Sequence, residues 1–472
     1  MAQIGLMERA VGWVGEQMQK RVPYNPSNTF LEGPFAPVLT ETTSTELKVR
    51  GEIPPALNGM LARIGPNPLQ VANPATYHWF LGDGMVHGLR LREGKALWYR
   101  NRWVGTDKAQ AALGRGPLPG QRRGVSDVVN TNIIGHGGRL WALVEAGAFP
   151  VEMDAELNNV KQGLFDSTIS AAFTAHPHLD PLTGEMHAIC YDPLKPTTIQ
   201  YLALGPDCQL RRQVDIPVRH GPMIHDCAIT RSQVVILDLP VTFSLSLVVK
   251  GGGFPYQWNP QHTARVGLLP RLGGAADVRW FSVEPCYVFH TCNAYDLDNG
   301  GAILDVVVHD RMFDRSRQGP DSKRVTFERW LLDPATLSVK RTVLSEQPQE
   351  FPRLDERLTG SPYRYAYTVG SDISAGTGGS QPLYRHDLKL GRTELHSYGP
   401  HHVSGEAVFV PRSATAGEDE GWLLSYVYDL AEHRSAVVIL NADDIGGEPQ
   451  AVIELPVRVP LGFHGNWIAD AQ

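Results

Sequence analysis

Three observations on this sequence predict an all-β protein, built as a β-propeller or a large β-barrel. Short runs rich in Val, Ile, Leu, Tyr and Trp recur along the 472 residues, and each run is about one strand long. Turn-forming residues separate the runs, since the chain holds 47 glycines and 35 prolines spread over its length. Helical patterns do not alternate with the runs, and no strict repeat of the WD kind is present. So many hairpins without helices between them are typical of propellers and barrels.

The strand and turn signals follow one another along the chain. Strand-length apolar runs include residues 139–144, 233–239, 302–308 and 422–428. Turn signals rich in Asp, Asn, Pro and Gly lie at residues 180–184, 298–301, 333–336 and 441–444. Proline fixes φ and glycine accepts positive φ, so these segments are predicted to be tight turns. The pattern therefore predicts antiparallel hairpins along residues 35–472, which we treat as a single domain.

Residues 1–34 form an N-terminal segment with a different pattern. Apolar residues follow helical spacing on one face of this segment, at Ile4, Met7, Val11, Val14 and Met18. Three glycines weaken the predicted helix, at Gly5, Gly12 and Gly15. Two interpretations stay open: a helix, or a frayed terminus, that docks on the β-domain, and an amphipathic helix that lies in a membrane interface.

Charge and cysteine content exclude several classes of protein. The net charge is −7, and no block of five or more Lys or Arg residues provides a surface for nucleic acid. The five cysteines contain no C-x-x-C pair, which fits reduced thiols better than a disulfide framework or a thiolate metal site. No apolar run approaches the ~20 residues of a membrane span, and the N-terminus lacks the pattern of a signal peptide. We therefore expect a cytoplasmic protein.

Four histidines in patterned stretches are the candidate metal ligands: His176, His225, His290 and His464. They are separated by 49, 65 and 174 residues, so no single helix or loop could bring them together. The innermost strands of successive propeller blades all face one axis, and this spacing therefore favours a propeller over a barrel. A site made only of imidazoles suits iron, copper or zinc, and does not suit calcium or magnesium.

Seven motifs, in order from about residue 35 to the C-terminus, make this chain resemble the carotenoid cleavage oxygenase family. They lie at residues 58–68, 78–85, 175–178, 223–226, 350–353, 405–412 and 463–465. The resemblance implies a seven-bladed β-propeller with iron on its axis, capped by loops and short helices. It implies that the four histidines hold a non-haem Fe(2+). It also implies a dioxygenase that uses O2 to cleave a conjugated C=C bond of a carotenoid or apocarotenoid.

The resemblance also assigns residues around the metal. Glu145, Glu350 and Glu406 are expected to accept hydrogen bonds from the metal-bound imidazoles, which fixes the tautomer and the ring angle of each ligand. Thr131 matches the family position that crowds one open coordination site. His178 lies two residues from His176, but the family motif selects the first histidine of this pair.

A long polyene requires an apolar tunnel. Candidate tunnel residues beside the motifs are Phe80, Phe149, Phe173, Tyr287 and Phe289. In the stilbene-cleaving branch of the family, a Tyr and a Lys hold the substrate phenol, and the matching positions here are Trp103 and Val144. Neither side chain provides those polar contacts, and this favours a carotenoid or apocarotenoid substrate. A stilbene-cleaving dioxygenase, a retinoid-type isomerohydrolase and a non-catalytic binding propeller are the alternatives.

Residues 241–249 are unusually apolar for a segment that ends in Lys250 and a run of glycines. One interpretation is a buried strand. The other is an exposed patch that, with the N-terminal segment, makes peripheral contact with a membrane.

Overall fold

The computed structural model describes residues 6–123, 127–166, 169, 172–251, 253–316, 318–371 and 381–470, and most of its regular structure is β-strand. The first half of the strands are β1 (Thr42–Ser44), β2 (Val49–Gly51), β3 (Gly59–Pro66), β4 (Gly84–Arg92), β5 (Lys95–Trp103), β6 (Asn132–His136), β7 (Arg139–Leu143), β8 (Val151–Met153), β9 (Asn159–Gln162), β10 (His178–Leu179), β11 (Met186–Tyr191), β12 (Thr198–Leu204), β13 (Leu210–Pro217), β14 (Cys227–Ile229), β15 (Gln233–Asp238), β16 (Val241–Phe243) and β17 (Tyr256–Trp258).

The remaining strands are β18 (Arg265–Pro270), β19 (Arg279–Ser282), β20 (Thr291–Asp296), β21 (Ala302–His309), β22 (Val325–Asp333), β23 (Ser338–Ser345), β24 (Gln349–Arg353), β25 (Tyr365–Gly370), β26 (Leu383–Asp387), β27 (Arg392–His396), β28 (His402–Ser404), β29 (Val408–Pro411), β30 (Gly421–Asp429), β31 (Arg434–Asn441), β32 (Ala451–Glu454) and β33 (Gly465–Ala469). The α-helices are α1 (Leu6–Gln19), α2 (Asp107–Ala112) and α3 (Leu245–Val249). Single 3-10 turns occur at Thr29–Leu31, Gly33–Phe35, Pro74–Thr76, Trp79–Leu81, Ala275–Asp277 and Glu356–Leu358.

Strand pairing places most of the described strands in seven antiparallel units, which are the blades of a propeller, while β16 and β17 form a separate two-stranded sheet. Blade 1 is β33-β3-β4-β5, and blades 2 to 7 are β6-β7-β8-β9, β10-β11-β12-β13, β14-β15-β18-β19, β20-β21-β22-β23, β24-β25-β26-β27 and β28/β29-β30-β31-β32. Blades 4 and 5 share one eight-stranded sheet, but only the pair Ser282 and Ser338 joins them. The predicted all-β propeller is confirmed.

The N- and C-terminal parts of the chain close the ring of blades. The last strand, β33, becomes the innermost strand of blade 1 by pairing with β3, with Gly465 opposite Arg63 and Ile468 opposite Met60. In addition, β2 pairs with the outer strand β32 of blade 7. Each end of the chain thus adds a strand to a blade that the other end of the chain forms, and this holds the ring closed. It also places His464, the residue before β33, at the centre of the molecule.

The four apolar runs predicted from sequence form the second strand of their blades, namely β7, β15, β21 and β30. Every residue of β15 is buried, whereas in the outer strand β13 exposed residues alternate with partly buried ones and with the buried Ile216. Second strands are covered on both faces by neighbouring blades, so they consist of continuous apolar runs without alternation. The propeller core is therefore formed by the faces between blades.

Residues 241–249 divide into a short strand and a short helix. Val241–Phe243 is strand β16, with Val241 and Thr242 buried. Leu245–Val249 is helix α3, in which Leu247 is buried while Leu245 and Val249 are exposed. Helix α1 packs against α3, while Ile4 and Gly5 lie outside the described residues. None of the helices among the described residues has the length and apolar character that crossing a bilayer requires.

Candidate metal centre

Each blade contributes one residue of interest at the beginning of its innermost strand. In blades 3, 4, 5 and 1 this residue is a histidine, and the other three blades contribute a threonine and two glutamates. In chain order the seven residues are Thr131, His176, His225, His290, Glu350, Glu406 and His464. Because these positions are equivalent in a radial arrangement, residues far apart in sequence meet near the axis.

The four histidines form one compact, buried group. The ring centroid of His176 lies 4.4 Å from that of His225 and 4.5 Å from that of His464. The ring centroids of His290 and His464 lie 4.7 Å apart. One ring nitrogen from each of the four lies within 4.8 Å of the others. All four side chains are buried.

Hydrogen bonds determine which ring nitrogens face the centre of the group. The Nδ1 atoms of His225, His290 and His464 each bond a carboxylate, which leaves their Nε2 atoms free for a metal. The Nε2 atoms of His176 and His290 are buried and make no hydrogen bond within the described residues. Burial also lowers the pKa of His176 well below its ordinary value, so its ring is neutral, as a metal ligand requires. Orphaned imidazole nitrogens in such a group fit a borderline transition metal.

Three glutamates hold three of the four rings. Glu145 Oε1 accepts from His225 Nδ1 at 2.8 Å, and Glu350 Oε2 accepts from His290 Nδ1 at 2.6 Å. Glu406 Oε1 accepts from His464 Nδ1 at 3.0 Å, while its Oε2 accepts from the backbone N–H of Gly465 at 2.9 Å. The structure thus brings the three sequence-predicted glutamates to the outer side of the histidine group.

The charges in this outer layer stabilise ionised carboxylates. Burial alone would raise the pKa of Glu350, but His290 and His309 reverse this effect and hold the pKa far below its usual value. Burial likewise opposes ionisation of Glu406, yet Arg353 and His464 lower its pKa to about 2. Burial would lower the pKa of His290, whereas Glu350 raises it. These two carboxylates therefore carry negative charge at neutral pH. Their charge makes the imidazoles that they bind more basic, and hence stronger ligands for a metal.

Two further residues predicted from sequence lie beside the group. Thr131 is buried at the start of β6, where its Oγ1 donates to Asn130 Oδ1 at 3.0 Å. His178 is separate from the four histidines, and its Nε2 lies 2.8 Å from Asp226 Oδ1. Asp226 also accepts from the backbone N–H and the hydroxyl of Thr291, at 2.7 and 2.9 Å. His178 and Asp226 thus connect blades 3, 4 and 5 below the histidine group.

An apolar cavity of about 670 Å³ adjoins the histidines and extends to helices α1 and α3. Its wall includes His225, His290 and His464 of the histidine group. It also includes Gly15 of α1 and Val248 of α3. Four of the predicted pocket residues line it: Thr131, Phe80, Val144 and Phe289. The ring of Phe80 lies 5.6 Å from Phe254, 6.0 Å from Phe289 and 5.4 Å from Phe463. An aromatic enclosure of this size suits an elongated apolar ligand.

A second cavity of about 940 Å³ adjoins the other side of the group, with His176, His290 and His464 in its wall. Its wall is more polar than that of the first, with Asn132, Asp226, Arg353 and Glu406 among its residues. The histidine group therefore lies between an apolar cavity and a polar one. An apolar substrate fits the first of these.

The other four predicted pocket residues are not in the wall of this apolar cavity. Trp103 is buried, and its Nε1 donates a hydrogen bond to the carbonyl of Asn67 at 3.0 Å. The hydroxyl of Tyr287 donates to the carbonyl of Met223 at 3.1 Å. Phe149 and Phe173 belong to a hydrophobic cluster between blades 2 and 3. Proximity to a motif in sequence did not determine which face of the strand each ring takes.

Two cavity residues were missed by sequence reasoning. Phe351 follows Glu350, has a φ of 52°, and stacks on His290 with centroids 5.2 Å apart. Its place in a family motif was the signal that could have identified it. His309 ends the apolar strand β21 and lies 2.6 Å from Glu350. Only the packing of blade 5 against blade 6 reveals that contact, because 41 residues separate the two side chains.

Comparison with known proteins agrees with this geometry. The sequence model of the retinal pigment epithelial membrane protein (RPE65) family matches residues 35–469. The carotenoid cleavage oxygenase of Mycobacterium tuberculosis is 43% identical, over 93% of this chain and 97% of that protein. The lignostilbene dioxygenase of Pseudomonas brassicacearum superposes with a TM-score of 0.86 at 29% identity, over 95% of this chain and 100% of that one.

A variant of the apocarotenoid oxygenase of Synechocystis superposes with a TM-score of 0.83 at 28% identity, over 95% of this chain and 99% of that one. These relatives include enzymes named for carotenoids and enzymes named for stilbenes. The choice between the two substrate classes therefore rests on the residues of the apolar cavity.

Proposed function

We propose that this protein is an iron-dependent dioxygenase that acts on a carotenoid or apocarotenoid. The chain belongs to the family of carotenoid cleavage oxygenases and retinal pigment epithelial membrane protein. One conjugated C=C bond is cleaved, and each of its two carbons receives one oxygen atom of O2, giving two carbonyl products. The observation that carries this proposal is the group of four buried imidazoles beside an aromatic, apolar cavity.

His176, His225, His290 and His464 would hold the metal through their Nε2 atoms. Four neutral imidazoles contribute no charge, which favours Fe(2+) and leaves coordination positions free. Bound iron would supply the activation of dioxygen. The glutamates keep the rings in the required tautomer, and their charge is held close to the site by hydrogen bonds of 2.6 to 3.0 Å.

The cavity residues position the substrate and exclude water. Phe80, Phe254, Phe289 and Phe463 offer ring faces and edges to a polyene, which loses no hydrogen bonds when it leaves water or membrane. Phe351 stacks on His290 and borders the same space. Thr131 narrows the cavity beside the histidines, which restricts where the double bond lies relative to them.

Peripheral contact with a membrane is a second part of the proposal. Trp13 of α1 is 63% exposed, and Leu245 and Val249 of α3 are 58% and 48% exposed. These helices pack together, and the apolar cavity extends to both of them. A membrane-soluble polyene could pass from the bilayer to the cavity without crossing water, and an exposed apolar patch of this kind is typical of such a surface.

The decisive experiment is mass spectrometry of the products formed from a panel of carotenoids and apocarotenoids under ¹⁸O2. We expect two carbonyl fragments from one parent, each labelled before exchange with water. A product of unchanged carbon count, with an isomerised chain and oxygen from water, would identify a retinoid-type isomerohydrolase. Absence of turnover on every polyene, with iron bound, would leave a binding propeller.

A further inference from the structure

One of the three glutamates that support the histidines, Glu350, has a second histidine partner, His309, which is not among the predicted site residues. Glu350 Oε2 accepts from His290 Nδ1, and Glu350 Oε1 lies 2.6 Å from His309 Nε2. His309 belongs to the second strand of blade 5, while His290 precedes the first strand of the same blade. The carboxylate of Glu350, from blade 6, is therefore held between two imidazoles.

Hydrogen-bond chemistry fixes the tautomer of His309. An ionised carboxylate only accepts, so His309 Nε2 carries the proton and donates it to Glu350. The other ring nitrogen, Nδ1, lies 2.9 Å from the hydroxyl of Ser322, which can donate to it. Both His309 and Ser322 are buried, and both line the apolar cavity. Ser322, His309, Glu350 and His290 thus form one continuous chain of hydrogen bonds.

The other two glutamates have different surroundings. Glu406 bonds His464 and has Arg353 Nη1 at 3.3 Å, so its second partner is a cation. Glu145 bonds His225, and no second imidazole contacts it within the described part of the chain. The three carboxylates therefore differ in their second partner, and so in how strongly each of them polarises the histidine that it supports.

We propose that His309 is a positioning residue of the metal centre. It fixes the plane of the Glu350 carboxylate and takes part of its hydrogen-bonding capacity, and thereby sets the orientation and donor strength of His290. The proposal rests on the metal site of the proposed function, but it is independent of which substrate is cleaved. Without His309, Glu350 Oε1 has no donor among the described residues, and the carboxylate is held only at Oε2, by His290 Nδ1 and by the backbone N–H of Phe351.

Two substitutions at one position separate this role from simple packing. In His309→Gln, the amide N–H2 occupies the place of Nε2 and can still donate to Glu350. In His309→Asn, the amide is one carbon shorter, so it matches Nδ1 and does not reach Glu350. His187→Asn is the matched control, because His187 is a buried histidine on the second strand of blade 3, where its Nδ1 lies 2.9 Å from the hydroxyl of Tyr201.

The measurements use the full-length protein, freed of metal and titrated with Co²⁺ and Fe²⁺ against a competing chelator. The visible spectrum of the Co²⁺ protein reports the ligand geometry directly. For His309→Asn we expect metal affinity to fall about tenfold, at the lower end of the range for residues that support ligands, together with a shifted Co²⁺ spectrum. For His309→Gln we expect affinity within about threefold of wild type and a nearly unchanged spectrum, while His187→Asn matches wild type in both.

Three outcomes would overturn the proposal. In the first, His309→Asn binds both metals with wild-type affinity and spectrum. In the second, Gln and Asn weaken binding equally. In the third, His187→Asn has the same effect as His309→Asn. If wild type binds iron but cleaves no polyene, the proposed activity fails while the role of His309 remains measurable by the same titration.

Discussion

Arg353 Nη1 lies 3.3 Å from Glu406 Oε1 across the boundary between blades 6 and 7, and both side chains are largely buried. The same guanidinium donates to the carbonyl of Gly465 at 3.3 Å and to Asn466 Oδ1 at 2.9 Å. Gly465 and Asn466 begin the closing strand β33, directly after His464. One ion pair therefore connects ring closure with the position of a metal ligand.

Replacing this arginine should destabilise both the fold and the metal centre. In Arg353→Met the carboxylate of Glu406 stays buried without its cation, which costs about 3–5 kcal/mol. We expect urea unfolding to show this loss, together with a lower iron content after purification. Arg324→Met is the control, since Arg324 and Glu346 are 61% and 76% exposed and should contribute about 1 kcal/mol or less. Equal losses in the two variants would contradict the structural role of Arg353.

Removal of a metal ligand should abolish iron binding and activity together. His225→Ala and His464→Ala each leave three imidazoles, and we expect about one iron atom per chain in wild type and far less in these variants. Metal analysis and polyene turnover on the same preparations test this. The exposed His401→Ala should retain both. A fully active wild-type preparation without iron, or tight zinc with no iron-dependent activity, would rule out the assignment of the metal.

Glu350→Gln should weaken iron binding or turnover strongly, although glutamine has nearly the same size and shape as glutamate. Gln offers one acceptor oxygen, while His290 and His309 both present N–H donors to Glu350. In Glu350→Gln one of these donors faces the amide N–H2, and the negative charge is lost. We expect iron affinity or turnover to fall by roughly 10–100-fold with the fold retained. Unchanged values would mean that Glu350 does not support the metal ligand.

Membrane contact is tested by liposome flotation with the double variant Leu245→Glu/Val249→Glu. Both residues are exposed on α3, so the charges should leave stability unchanged and prevent insertion into the bilayer. Leu247 is unsuitable for this test because it is buried. Leu272→Glu provides the control, as this residue is 89% exposed in a turn of blade 4. Flotation that is equal in all three proteins, or absent in wild type, would remove the membrane role.

Substrate class follows from the polar groups that the cavity offers. Val144 lines the cavity and provides no donor or acceptor for a phenol, whereas Trp103 lies outside the wall. A buried hydroxyl without a partner costs about 1–3 kcal/mol, or roughly one to two decades in binding. We expect a higher kcat/KM for an apocarotenal than for 4-hydroxystilbene under identical iron and detergent conditions. The reverse order would move the chain to the stilbene-cleaving branch.

The local sequence accounts for much of the fold. The apolar runs at 139–144, 233–239, 302–308 and 422–428 each became a strand, because a strand buried on both faces requires a continuous apolar segment. Residues 241–249 were ambiguous for the same reason, since a short apolar run does not distinguish a strand from a buried helix. The contact of this segment with α1 and with strand β17 decided where the strand ends and the helix begins.

By itself the sequence determined the residue types of the centre, namely four histidines and three glutamates in recognisable motifs. The tertiary structure decided which of them meet, because radial packing of seven blades brings together residues that lie far apart in sequence, as in the hydrogen bond from Asn466 to Asn132 across 334 positions. It also decided that Phe80 and Phe289 line the cavity while Phe149 and Phe173 lie in the core. The direction of a buried ring depends on strand register and on packing between blades, and neither is encoded in a local run of residues.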